Sequence, residues 1–153
     1  MSAPEPAPGE PRWLDGAEMT AWLGLMRLVI ELPQALDRQL RGDAGIGHVY
    51  YQILAMLSDA PQRRLRMSEL ARLTGTSLSR LSHAVSALEE RGWVHRCASP
   101  DDRRGQMACL GDDGFALLQR SAPGHVTEVR RLVFDRLTPA EVDRLGAILG
   151  KIG

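Results

Sequence analysis

The sequence has no long hydrophobic run. Its most apolar stretch, residues 21–30, is broken by Gly24 and Arg27 and falls well short of a membrane span. Cysteine is scarce. Cys97 and Cys109 are too few to staple a fold and their spacing fits no zinc signature, so two ordinary thiols in a reducing compartment are expected. Net charge is missing too, since 19 Lys and Arg balance 19 Asp and Glu, which argues against a generic polyanion binder. The N-terminus carries acidic and proline residues in place of the basic flank and apolar stretch of a secretory signal, and a cytoplasmic protein is expected.

Catalytic equipment is equally sparse. Gly45-Ile46-Gly47 lacks the third glycine and the preceding strand of a nucleotide-binding fingerprint, and His48, His83, His95 and His125 fall in separate elements. No enzyme activity, cofactor or metal is expected.

What is present is the composition of an ordinary globular protein, 44% hydrophobic and 25% charged over 153 residues. The zero charge conceals an uneven distribution. Between residues 61 and 106 nine arginines stand against five carboxylates, and the rest of the chain is correspondingly acidic. That pattern fits one face built for phosphate and another kept off it. Residues 1–17, with prolines at 4, 6, 8 and 11, read as a flexible tail, and residues 18–153 as one domain.

Trp22, Leu25, Met26, Val29, Leu32, Leu36 and Leu40 recur at three- and four-residue steps, predicting an amphipathic helix over 18–40 with a kink at Pro33. Gly42, Gly45 and Gly47 mark a loop, and a second helix at 49–58 carries Tyr50, Ile53, Leu54 and Leu57 on one face. Ser68 is expected to cap a short third helix at 69–73, followed by a Thr74-Gly75-Thr76 turn and a fourth helix capped by Ser77 and ended by Gly92. Two strands, 93–98 and 105–110, form a hairpin around a charged tip. Asp112 or Asp113 opens a fifth helix interrupted at Pro123-Gly124, and Thr138-Pro139-Ala140-Glu141 is a capping box opening a sixth.

Short helix, tight turn, helix and hairpin make a winged helix-turn-helix at 48–110. On the fourth helix Leu78, Leu81, Val85 and Leu88 are expected to face the core, with Thr76, Ser79, Arg80, His83 and Ala87 opposite. The outer set is small, hydrogen-bonding and cationic, and no acid occurs on this helix before Glu89. Those are the properties of a helix read against base edges in a major groove. Ser77, Ser79, Arg80 and His83 are therefore candidate DNA contacts. Arg103 and Arg104 at the hairpin tip suit a minor groove or flanking phosphates, and Asp102 is placed to orient Arg104.

Ser68-Glu69-Leu70-Ala71, Ser79-Arg80-Leu81-Ser82-His83, Leu88-Glu89-Glu90-Arg91-Gly92-Trp93-Val94 and Asp101-Asp102-Arg103-Arg104-Gly105 together resemble the MarR family of multiple-antibiotic-resistance regulators. The resemblance implies a mainly α fold with a small β-hairpin wing, and helical dimerisation arms from both termini, here 18–41 and 112–153. It implies an obligate homodimer on a palindromic double-stranded operator, commonly a repressor released by a small, often phenolic ligand between the dimerisation and DNA-binding parts. Trp22, Tyr51 and His125 are the candidate ligand residues, although the same aromatics suit a core or a dimer interface. The sequence departs from the family at Gly111, Gly47 and Tyr50, where Thr, Thr and Gln are common, so the identity of a ligand does not carry over. The peroxide-sensing branch keeps a cysteine in the first helix and this chain has none there, which leaves two alternatives, a switch by oxidation of Cys97 or a DNA-binding regulator without a ligand.

A hairpin closed with Ala98 opposite Gly105 would pair Cys109 with Val94 and Cys97 with Gln106. The sulfurs would then lie on opposite faces, so neither an intrachain disulfide nor a zinc site with His95 and Cys97 is expected.

Overall fold

The computed structural model of the chain describes residues 11–98 and 106–152. Helix α1 spans Gly16–Ala44, α2 His48–Asp59, α3 Met67–Leu73, α4 Leu78–Glu90, α5 Asp112–Leu132 and α6 Pro139–Ile152. Strands β1 (Arg64–Arg66), β2 (Val94–Ala98) and β3 (Gln106–Leu110) form an antiparallel sheet in the order β1-β3-β2. The architecture is mainly helical with a small winged sheet, as the sequence implies. Among the described residues no helix is long and apolar enough to cross a membrane.

The chain divides within α1 into two compact units, Met1–Gln34 and Ala35–Gly153. In the first, α1 is opened by a reciprocal cap. The Asp15 N–H donates to Glu18 Oε2 at 3.0 Å and the Glu18 N–H to Asp15 Oδ1 at 2.8 Å. Beyond it Trp22, Leu23, Leu28, Val29 and Ile30 are all exposed. The second unit holds the core. Leu40, Ile53, Leu54, Leu57, Leu70, Leu81, Val85, Leu88 and Ala108 have no exposed surface, and Met67, Val94, Leu110 and Leu117 pack into the same cluster. Each fully buried leucine, isoleucine or valine of this cluster stabilises the fold by about 1.5–3 kcal/mol.

Several expectations need correction. Ser68 is not a cap, because α3 already begins at Met67, whose buried side chain draws the chain into helix before the hydroxyl can cap it. Leu78 is 54% exposed and outside the core, since it occupies the first turn of α4 before the helix meets the domain. Helix α1 continues past Gly42 to Ala44. Of the openings the sequence leaves for α5, an aspartate cap or the glycine before it, Gly111 is the cap, with no side-chain cap bond. The Pro123-Gly124 pair does not interrupt α5. Pro123 and Gln119 are both exposed, so solvent can take the Gln119 carbonyl that the proline ring leaves without a partner, and Thr127 Oγ1 donates back to Pro123 O at 2.9 Å. Helix α1 contains Pro33, as the sequence places it.

Gly114 shows how tightly α5 seats on the wing: a Cβ there would lie 2.3 Å from the Trp93 carbonyl oxygen. Arg63, at φ 54°, anchors the turn before β1 by placing its guanidinium 3.7 Å over the Phe115 ring, with Asp112 3.5 Å away.

Candidate nucleic-acid interface

The helix-turn-helix is built by the turn between α3 and α4. Gly75 takes φ +63°, a left-handed conformation that costs a residue with a Cβ more than glycine. The Thr74 hydroxyl donates to Leu70 O at 2.8 Å, and the Thr76 N–H to Ala71 O at 3.0 Å, closing the end of α3. Ser77 then caps α4, its Oγ accepting from the Arg80 N–H at 3.3 Å. Leu81, Val85 and Leu88 pin one side of α4 into the core with no exposed surface. Ser77, Ser79, Arg80 and His83 are exposed. The spacing thus places Leu81, Val85, Leu88 and the exposed Ser79, Arg80 and His83 correctly, whereas Leu78 leaves the core face and Thr76 and Ala87 are only partly exposed.

Arg103, Arg104 and their expected partner Asp102 lie outside the described residues. The strands on either side are described, and their register differs from expectation by one residue. Ala98 pairs with Gln106, Cys97 with Met107, His95 with Cys109 and Val94 with Leu110. Val94, Ala108 and Leu110 are buried, so this register puts all three on the core side, and the expected one would have turned Leu110 outward. The one-residue shift also moves Cys109 to the outer face with Cys97 and His95. The two sulfurs are joined in a disulfide across a Cα–Cα distance of 6.3 Å, contrary to the expectation of two separate thiols. Among the described residues no group of three or more His, Cys, Asp and Glu could hold a metal ion.

Away from α4, the end of α1, the start of α2 and the middle of α5 meet around three aromatic rings. Tyr51 is buried, its ring 4.2 Å from that of His125, and His48 stands 5.8 Å from His125. Gly47 offers no side chain to cap α2. Asp37 does so instead, accepting from the His48 N–H at 2.9 Å while Arg41 donates to its other oxygen at 2.6 Å. Those two bonds, that from Arg41 the stronger, hold the Asp37 carboxyl below its ordinary pKa. Burial pushes the His48 imidazole down, against the pull of Asp37, and pushes His125 down too, with His48 adding to the effect. Burial raises the Tyr51 phenol. Among the described residues, His125 Nδ1 and Gln39 Oε1 are both buried without a hydrogen-bond partner. Trp22, the third expected ligand residue, belongs to the N-terminal unit and is 49% exposed.

The MarR-family signature matches residues 44–105. Sco3205, a MarR family transcriptional regulator from Streptomyces coelicolor solved in complex with DNA, is 50% identical over 94% of this chain and 90% of its own, with a TM-score of 0.87. The chain belongs to the MarR family. AbsC, a second MarR regulator of that organism, is 36% identical over 93% of this chain and 95% of its own, at a TM-score of 0.85. The HTH-type transcriptional repressor YetL of Bacillus subtilis (strain 168) is 24% identical over 139 residues, 91% of this chain and 82% of its own length.

Two features of this MarR regulator escape a reading of its sequence. Strand β1 is only Arg64-Leu65-Arg66, too short and too charged to show an alternation. Arg96 counts among the basic residues of the central segment, yet its charge is taken up inside the protein by Glu89. The spacing of Ser82, Ser86 and Glu89 on one flank of α4 is the signal that could have found it.

Proposed function

We propose that this chain is a homodimeric, sequence-specific transcriptional repressor that acts in the cytoplasm on a palindromic DNA operator. The observation that carries the reading is the polarity of α4, with Leu81, Val85 and Leu88 wholly buried and Ser79, Arg80 and His83 exposed on the other side. Ser77, Ser79, Arg80 and His83 read base edges in a major groove. Arg103 and Arg104 reach a minor groove or flanking phosphates, with Asp102 orienting Arg104. Half identity to DNA-bound Sco3205 supports the partner, and the naming of YetL supports the sign of regulation. Residues 18–41 and 112–153 supply the dimer contacts. Their apolar side chains, among them Leu28 and Val29 on α1 and Ile148 and Leu149 on α6, are exposed in the single chain. The two operator half-sites then lie about one helical turn apart. Sequencing genomic fragments selected by the purified protein tests the reading. A palindromic motif is expected, and selection without any enriched motif overturns it.

The release signal in this reading is a small, largely apolar or phenolic molecule beside Tyr51 and His125. The unpartnered buried atoms His125 Nδ1 and Gln39 Oε1 support a polar contact there. Thermal shift with phenolic and salicylate-like acids, followed by operator release, tests it. Loss of the shift in His125→Phe is expected, and Trp22→Phe reports separately on the N-terminal unit.

The disulfide favours a second reading of regulation, by thiol oxidation. Cys97 and Cys109 thiols would lose two protons and two electrons to hydrogen peroxide, forming the bridge and two waters. Such bonds are rare as permanent staples in a reducing cytosol, which is why the pair reads as responsive. The bridge ties together the hairpin that carries Arg103 and Arg104, so the oxidised form is expected to bind operator more tightly. Equal affinity in peroxide and in dithiothreitol would leave the bridge without a regulatory role.

A further inference from the structure

The wing of this fold leaves the recognition helix through a short turn. At its start the Gly92 N–H donates to Glu89 O at 2.9 Å and the Trp93 N–H to Leu88 O at 3.0 Å. Those bonds fix where β2 begins but not the direction in which it continues. A second attachment further along the strand is needed to fix that direction. Val94 supplies part of it by entering the core. The rest comes from Arg96.

Arg96 pairs across the ladder with Ala108, which is fully buried, so its side chain leaves the sheet on the inner side, toward α4. Along the facing flank of α4, Ser82, Ser86 and Glu89 succeed one another at helical spacing. The Arg96 backbone N–H donates to Glu89 Oε1 at 2.7 Å, and its Nη1 donates to Glu89 Oε2. Nη2 donates to the Ser82 carbonyl and to the Ser82 hydroxyl, both at 3.2 Å, and to the Ser86 hydroxyl at 3.1 Å. One guanidinium thus grips two turns of the recognition helix, a span of about 10 Å. Both charged side chains are roughly three-quarters covered, at 29% and 27% exposure.

We propose that Arg96 is a positioning residue for DNA binding, with Glu89 as its counter-charge. It touches no DNA and sets the direction in which the wing leaves the recognition helix. The inference rests on the DNA-binding reading above. A recognition helix and a wing engage neighbouring grooves together only at one relative angle, and β2 acts as a lever on the tip beyond it. Arg96 suits this task because a planar fork with five donors can satisfy a carboxylate and two serines at once. A lysine carries the same charge without the fork.

The decisive variant is Glu89→Gln. Removing an acid from a DNA-binding module should tighten binding and leave the salt dependence as steep or steeper if charge alone matters. A positioning pair predicts the reverse sign: weaker operator binding, by about tenfold, as expected when a covered charge loses its partner. It also predicts a shallower slope of log affinity against log salt, by about one for each phosphate that the wing no longer reaches. Arg96→Met should behave in the same way, and Arg96→Lys should fail to restore either quantity. Hydroxyl-radical footprints should lose protection on the wing side and keep it over the major groove, a split that general loss of stability does not produce. Ser86→Ala, which removes one bond to the guanidinium and leaves the Arg96–Glu89 ion pair in place, is the milder variant, and it should show the same split with a smaller loss.

The experiment starts from fragments selected by the unaltered protein. If that protein selects no motif, the DNA-binding reading fails and with it the premise. If it binds its operator while Glu89→Gln binds as tightly or more tightly, or Arg96→Lys matches the original, the DNA reading stands and the positioning role of Arg96 is overturned.

Discussion

Helices α4 and α6 have nearly the same length, 13 and 14 residues, and both are amphipathic, yet they end up in opposite situations. Helix α4 buries Leu81, Val85 and Leu88 completely. Helix α6 buries no residue, and its Ile148, Leu149 and Ile152 are 53%, 49% and 71% exposed. The difference lies in where the partner surface resides. For α4 it is α2, α3 and the sheet of the same chain. For α6 the apolar face has no equivalent cover among the described residues of one chain, as the dimer reading requires. An amphipathic pattern in a sequence says that a face will be covered, but not by which molecule.

The largest expected effect separates the two directly. Leu81→Ala opens a cavity inside the domain and should cost about 2–5 kcal/mol, at every protein concentration. Leu149→Ala should leave secondary structure intact and instead make the melting temperature and apparent mass depend on concentration. Equal, concentration-independent losses in both would remove the distinction between the helices, and the proposed dimer face with it.

The outer side of α4 comes next. Arg80→Ala should relax base preference by about 1–3 kcal/mol at one position of each half-site while the melting temperature stays unchanged, since the side chain is exposed. Binding measured on operator variants checks this. An unchanged preference would move readout elsewhere on the helix.

The caps provide a finer comparison because both helices begin with a hydroxyl. Ser77 accepts from the Arg80 N–H at the start of α4, and Thr138 shares a reciprocal box with Glu141 at the start of α6, the Thr138 N–H donating to Glu141 Oε2 at 2.8 Å. Ser77→Ala should lower domain stability by about 0.5–2 kcal/mol. Thr138→Ala should show mainly as faster hydrogen exchange in the first turn of α6, with a smaller change in the global transition.

These contrasts explain which parts of the protein could be read from sequence. The stripe Leu81, Val85, Leu88, the Ser77 cap and the Thr138-Glu141 box depend on residues within a turn or two of one another, so local spacing carries them. Strand register is different. It hangs on a loop length, and a one-residue error turns Cys109 to the wrong face and hides the disulfide with Cys97. Arg96 is legible as a charge but not as the mate of Glu89, because the pairing exists only once β2 has folded onto α4. The same holds for Tyr51, His48 and His125, which come together from distant elements.

The smallest lever is pH, and it too distinguishes the two regions. His48 and His125 lie in the folded unit around Tyr51, whereas α6 contains no histidine. Burial lowers the pKa of both imidazoles in the folded protein. The unfolded chain therefore takes up protons on them first as pH falls, so their contribution is intact above the ordinary histidine value near 6.5 and is lost progressively below it. The carboxylates held low by partners, Asp37 among them, weaken the fold only at more acid pH, below their ordinary values near 4, and do not obscure the window. Between pH 7.5 and 5.5 the melting temperature should thus fall, and His125→Phe should flatten that fall by removing one of the two groups. The concentration dependence attributed to α6 should change little over the same range. A melting temperature that rises on acidification would mean that a charged imidazole is the favoured form in the fold, with the pull of Asp37 outweighing burial at His48, since His125 Nδ1 has no partner among the described residues.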